Sequence, residues 1–233
     1  MSVTAVAFDI DQTLWDFHAV RIEALQAVAA LFAERATIPH EQLEPLLETD
    51  SLQARYDRLE LQRPARQLAA IRGLALAEAA AEIAPGDEHL PADATELYFR
   101  HRHAPRSPYP DTIPALTELR DAGLRLAIVS NGNTDLEAMG IAHFFDEVVL
   151  GPRVGTAKPY EEIYRLVEHG LGVDAAELVC VGDDVDKDVC APQRFGWRGV
   201  WNRRDSETTP PGCIPDATVE LLTELPAIVD SWR

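Results

Sequence analysis

Val6-Ala7-Phe8-Asp9-Ile10-Asp11-Gln12-Thr13-Leu14 runs from an apolar, strand-like segment straight into two carboxylates set two residues apart. In a strand, positions i and i+2 share a face. If the extended geometry holds through Asp11, both carboxylates point beyond the strand's carboxyl end. Side-by-side like charges are unfavourable unless a cation, hydrogen bonds or a shared proton compensates them. Such a pair suits a metal-assisted site in which one carboxylate attacks and the other moves protons. A strand followed by an Asx-type turn with both aspartates solvated reads the same residues equally well. The rest of the chain decides between the two.

A chain of 233 residues holds a core domain plus a substantial insertion, or two small domains. Its 46% hydrophobic and 26% charged content is that of a soluble globular protein. A net charge of −18 argues against a nucleic acid polymer and against docking on anionic lipid. An acidic surface also repels anionic substrates, so a phosphate-handling site needs local cations. Cys180, Cys190 and Cys213 have no metal-ligand spacing and cannot all pair; Cys180 sits in an apolar run as a small buried hydrophobe. We expect a reducing, cytoplasmic setting, with no signal peptide and no membrane span.

Apolar runs at residues 3–8, 125–129, 147–150, 178–181 and 199–201 read as parallel strands buried on both faces, with a last short strand at 217–219. Helices are expected at 114–122, stopped by Gly123, at 134–139, closed by Gly140, and at 159–169, opened by Pro159 and closed by Gly170. This alternation predicts a doubly wound α/β domain with right-handed crossovers and a ligand site at the strands' carboxyl ends. Residues 16–108 break the pattern. Val20, Ala24, Val28, Leu31 and Phe32 keep amphipathic helical spacing, and further helices are expected at 41–48, 51–62, 66–84 and 93–101. The reading is a core of residues 1–15 and 109–233 with a helical insert at 16–108. Residues 205–215 read as a polar loop before the last strand and helix.

Four polar groups fall at the ends of expected strands. Asp9, Asp11 and Thr13 form the first. Ser130-Asn131-Gly132 forms the second, and there a hydroxyl and backbone N–H groups suit an anion; a turn with a helix cap is its plainer reading. Lys158-Pro159 is the third, a compact cation at a helix start, a place where lysines are usually only surface residues. The fourth is Gly182-Asp183-Asp184-Val185-Asp186-Lys187-Asp188, whose oxygen-only ligands favour Mg²⁺ over zinc. Favourable placement of acids at a helix N-terminus accounts for Asp186 and Asp188, but less well for Asp183.

In this order, the four groups resemble the four motifs of the haloacid dehalogenase (HAD) superfamily. The insert resembles the type-one helical cap of its phosphatase branch, and Pro108-Tyr109-Pro110-Asp111 is similar to the run that precedes the second motif there. The resemblance implies a doubly wound, Rossmann-like parallel-sheet core with an inserted α-helical cap. It implies a phosphatase that hydrolyses a small phosphate monoester through an aspartyl-phosphate. Asp9 would be the nucleophile and Asp11 the acid and base. Mg²⁺ would be held by the Asp9 carboxylate, the Asp11 backbone carbonyl and Asp183, with Asp188, or less readily Asp184, in an outer shell. Lys158 would pair with Asp9 and the phosphoryl group, Ser130 and the Asn131 amide would hold phosphoryl oxygens, and Thr13 would position the aspartate loop within the phosphate-binding set.

Gln12, Asp184, Pro192 and Phe195 depart from the usual family pattern without removing a catalytic group. Asp11 disfavours dehalogenation, because halide leaves without a proton. A phosphomutase keeps all four motifs and is the alternative. A receiver-type signalling domain or a silent phosphate-binding module fits less well: receivers are shorter, and no motif residue is lost here. The cap is expected to set the substrate: Trp15, Phe17 and His18 could line the cleft, and Arg55, Tyr56 and Arg58 could reach a polar or anionic substrate, although a solvated helix face reads each of these three better. A monomer and a homodimer are both compatible with the sequence.

Overall fold

Residues 2–61, 67–204 and 212–233 are described by a computed structural model of the chain. The expected helix ends at Gln62 and Arg66, and residues 205–211 of the expected loop, lie outside the described residues.

The strand-like runs form one parallel sheet with the order β3-β2-β1-β4-β5-β6. The strands are β1 (Ala5–Phe8), β2 (Arg125–Ser130), β3 (Glu147–Leu150), β4 (Leu178–Gly182), β5 (Arg198–Asn202) and β6 (Ala217–Val219). Every residue of β1 and β4 is buried, as continuous apolar strands covered on both faces require. Ala5, Ala7, Ala127, Val129, Leu178 and Cys180 share one face with Ile163, Tyr164, Val167 and Leu171 of a covering helix. Strand order reverses between β1 and β4, so the carboxyl ends of these two strands mark the crevice in which doubly wound sheets bind ligands.

Two compact units are distinguished: Met1–Asp16 with Pro105–Arg233, and Phe17–Ala104. The linker at 105–110 falls with the sheet unit, where the Tyr109 amide donates to the Leu14 carbonyl (2.8 Å). The second unit is helical: α1 (Phe17–Arg35), α2 (His40–Leu47), α3 (Thr49–Glu60), α4 (Leu68–Ile83) and α5 (Leu90–Arg102). Ala24, Leu25, Val28 and Phe32 of α1 pack against Leu76, Ala79, Ala80 and Ile83 of α4, and against Leu90, Ala94 and Tyr98 of α5. The unit thus has its own apolar core.

In the sheet unit, α6 (Thr112–Asp121) precedes β2, and α7 (Gly151–Val154) and α8 (Glu161–Leu171) lie between β3 and β4. Next come a π-helical turn (Val185–Cys190) and α9 (Ala191–Arg194), and α10 (Leu225–Asp230) follows β6.

Two helix expectations need correction. Residues 134–139 form a turn rather than a helix: the Asp135 carboxylate caps the turn by accepting from the Glu137 and Ala138 amides, but Gly140 (φ 73°) closes it before a second turn forms. Gly170 does not close the helix after Pro159: α8 runs through it and ends at Gly172, in the left-handed conformation that favours glycine (φ 63°). The cysteines also depart from the reducing reading. Cys190 and Cys213 form a disulfide with Cα atoms 5.6 Å apart, while Cys180 is free and buried. No helix among the described residues is long and apolar enough to cross a membrane.

Candidate active site

β1 ends at Phe8, and the chain turns at once: the Thr13 and Leu14 amides donate back to the Ile10 carbonyl (3.3 and 2.9 Å). The extended geometry therefore does not continue through Asp11, and the two carboxylates take different partners. Gln12 occupies the left-handed region (φ 65°), where glycine or asparagine is accommodated with less strain. That gives a physical meaning to the departure noted at this position.

Asp9 is buried at the carboxyl end of β1, its amide bonded to the Val181 carbonyl of β4 (2.9 Å). Lys158, 2% exposed, donates from Nζ to Asp9 Oδ1 and to Asp188 Oδ1, each at 2.6 Å. The Asn131 side chain clamps this lysine's backbone. Its Oδ1 accepts from the Lys158 amide (2.7 Å) and its Nδ2 donates to the Lys158 carbonyl (2.9 Å). The Lys158-Pro159 peptide bond is cis. Ser130, at the end of β2, is buried, and its Oγ accepts from the Gly132 amide (3.1 Å).

Asp183 follows β4, where the Thr13 hydroxyl donates to its Oδ1 (3.3 Å) and the Trp201 indole to its carbonyl (3.1 Å). Thr13 thus ties the first acidic loop to the fourth. Asp188 is fully buried against Gly182, at which a Cβ would stand 2.2 Å from the Asp188 carboxyl group. Only glycine leaves room for that carboxylate. The π-helical turn, an uncommon geometry found often at functional sites, places Asp188 beneath the loop. Asp184 accepts from the Lys187 amide (3.1 Å) and ammonium (2.5 Å).

One carboxylate oxygen from each of Asp9, Asp183 and Asp188 lies within 4.8 Å of the others. Burial pushes Asp9 up to about 7; Lys158 opposes the shift, and Asp188 and Asp11 add to it. Asp183 is pushed up to about 8 by burial, then by Asp9 and Asp188. Burial also raises Asp188. Burial alone would lower Lys158, but Asp188 and Asp9 outweigh it and hold the ammonium well above its usual range. Three crowded carboxylates share one ammonium, and this excess of negative charge in an oxygen-only donor set fits a hard divalent cation.

Asp11 is held apart from that group. Its Oδ1 accepts from the Trp15 indole Nε1 and from the Thr134 hydroxyl, both at 2.8 Å. The Trp15 indole, from one of the residues read as able to line the cleft, donates to Asp11. Neither Thr134 nor Trp201 was marked as a site residue by the sequence, since each meets its partner only where distant segments come together, Thr134 from the loop after β2 and Trp201 from β5. In the helical unit, Arg55 pairs with Glu82 (2.7 Å) and Arg58 with Glu78. The Arg72 guanidinium, unremarked in the sequence, covers the Tyr56 ring at 4.0 Å.

A profile described as haloacid dehalogenase-like hydrolase matches residues 3–196. The chain is 32% identical to a glyceraldehyde 3-phosphate phosphatase of Methanopyrus kandleri, over 97% of each chain. It is 33% identical to a phosphoserine phosphatase of Thermus thermophilus, over 88% of this chain and 81% of that one. Among solved structures, a 2-haloacid dehalogenase of Pseudomonas syringae superposes with a TM-score of 0.78 at 26% identity, covering 99% of this chain and all of the other. The similar proteins therefore span two chemistries on one fold.

Proposed function

The chain belongs to the haloacid dehalogenase-like hydrolases, and on that premise we propose that it is a Mg²⁺-dependent phosphatase acting on a small phosphate monoester. The observation that carries this reading is Asp11, an acid two residues beyond the nucleophile position and fixed by two hydrogen bonds. Expulsion of halide requires no proton, whereas expulsion of an alkoxide from phosphorus does.

Asp9 attacks phosphorus, and the bond to the ester oxygen breaks as Asp11 gives that oxygen a proton. An aspartyl-phosphate remains on Asp9. Asp11 then takes a proton from water as the water attacks phosphorus, and the cleaved bond returns Asp9 and free phosphate. Lys158 offsets the charge of Asp9 and of the incoming phosphoryl oxygens. Ser130 and the Asn131 amide hold phosphoryl oxygens, and the Asn131 side chain keeps Lys158 in place.

Mg²⁺ would be held by the Asp9 and Asp183 carboxylates and the Asp11 backbone carbonyl, with Asp188 behind. When bound, it supplies positive charge that lets a carboxylate approach a phosphate dianion. The phosphatase names of the relatives support this substrate class.

The test is Mg²⁺-dependent phosphate release from a panel of sugar phosphates, phosphoserine, glyceraldehyde 3-phosphate and an aryl phosphate, beside halide release from 2-haloacids. The reading expects phosphate release from at least one ester, lost in Asp9→Asn. Halide release without phosphate release would overturn it.

A further inference from the structure

Resting on the reading of the acidic cluster as a divalent-cation site, we propose that Tyr164 is a positioning residue for the turn that carries Asp188. Its hydroxyl supplies the hydrogen bond that Pro192 denies to that turn. In the π-helical turn Val185–Cys190 the backbone bonds run five residues back, and the Ala191 amide donates to the Asp186 carbonyl. The next rung would join the amide of residue 192 to the Lys187 carbonyl. Residue 192 is a proline and has no N–H. The Tyr164 hydroxyl, on α8, donates to the Lys187 carbonyl instead (2.5 Å), from 23 residues away in the chain.

That hydroxyl is held firmly. Tyr164 is fully buried, and its ring stands 5.5 Å from that of Phe195 and 5.6 Å, edge-on, from that of Trp197. The carbonyl it holds belongs to the peptide that leads into Asp188. The Asp188 carboxylate has no slack: Oδ1 accepts from Lys158 Nζ (2.6 Å), Oδ2 accepts from the Asp184 amide (3.1 Å), and the group packs directly over Gly182. A rotation of the Lys187–Asp188 peptide would pull the carboxylate off these contacts and unsettle the loop of Asp183. Pro192, a departure from the family pattern, is therefore matched by a tyrosine on a different element.

The experiment pairs Tyr164→Phe, which keeps the ring and removes the donor, with Pro192→Ala, which returns an N–H to residue 192. Mg²⁺ binding is measured by titration calorimetry without substrate, so the readout does not depend on turnover. Hydrogen exchange of the segment 184–191 is followed in chelator. Tyr164→Phe should weaken Mg²⁺ binding about 5-fold, as expected for the loss of one hydrogen bond, and should speed exchange in the segment. Pro192→Ala alone should stay close to wild type, because the hydroxyl already occupies the carbonyl. The double variant should recover most of the lost affinity and protection, a rescue that a packing role for the Tyr164 ring would not give.

Unchanged affinity and exchange in Tyr164→Phe would overturn the proposal. A double variant no better than Tyr164→Phe would overturn it as well. Wild-type protein that takes up no Mg²⁺ would sink the cation-site reading instead, while exchange in the segment would still show whether the hydroxyl holds the turn.

Discussion

Lys158 and Asp9 form a buried ion pair, Nζ to Oδ1 at 2.6 Å, and the same ammonium is bound at 2.6 Å by Asp188. One cation therefore holds the nucleophile position at the end of β1 and the acidic turn after β4 in a single geometry.

Replacing Lys158 with methionine leaves Asp9 and Asp188 buried without their counter-ion. Breaking a buried pair in this way costs about 3–5 kcal/mol. We expect a marked fall in thermal midpoint in chelator, partly recovered by Mg²⁺, and a loss of kcat on the order of 10²-fold or more. Lys158→Arg should not rescue activity, since a planar fork does not replace a compact ammonium at a site this closed. Thermal melts and steady-state kinetics on the purified variants check both points.

Stability of the metal-free protein should fall as pH rises. Asp9, raised to about 7, and Asp183, raised to about 8, hold protons in the folded chain at pH values where the unfolded chain has released them from carboxyls near 3.8. That stabilisation is complete below the unfolded value and is lost as pH climbs through about 7 to 8. The change is on the order of a few kcal/mol. Melting curves in chelator between pH 5 and pH 8 should show the decline, and added Mg²⁺ should stabilise far more at the upper end. A flat profile in chelator would contradict this account of the acidic cluster.

Gly182→Ala places a Cβ where the Asp188 carboxyl group now packs, 2.2 Å away. Either Asp188 leaves Lys158 or the strand end shifts. We expect a destabilisation of about 1–3 kcal/mol, as for overpacking elsewhere, together with a kcat loss larger than that of a surface substitution. Circular dichroism melts beside kinetics will show whether both change together.

Trp201→Phe removes the indole donor to the Asp183 carbonyl, now 3.1 Å away. A hydrogen bond of this kind is worth about 0.5–1.5 kcal/mol. The variant should fold normally and need several-fold more Mg²⁺ for half-maximal activity. An unchanged Mg²⁺ requirement would show that Asp183 is held without it.

Much of this arrangement was legible in the sequence because it is local. Apolar runs ending in Asp9, Ser130 and Asp183 mark strands buried on both faces, and periodic Ala and Leu mark the helical insert. What escaped depends on distant segments meeting. Thr134 lies 123 residues from Asp11, and nothing near it in the chain marks the bond. The expected helix at 134–139 failed for a local reason: Gly140, in the left-handed conformation, ends the turn that Asp135 caps before a second turn can form. Cys190 and Cys213, 23 residues apart, pair across a return of the chain that cysteine spacing does not encode.

The central claim is that Asp9 carries the phosphoryl group. Acid-quenching the enzyme during turnover of a ³²P-labelled ester should trap a labelled protein that hydroxylamine discharges. Peptide mapping should place the label on Asp9, and Asp9→Asn should carry none. Phosphate release with no trapped label under single-turnover conditions, or label on any other residue, would contradict the account.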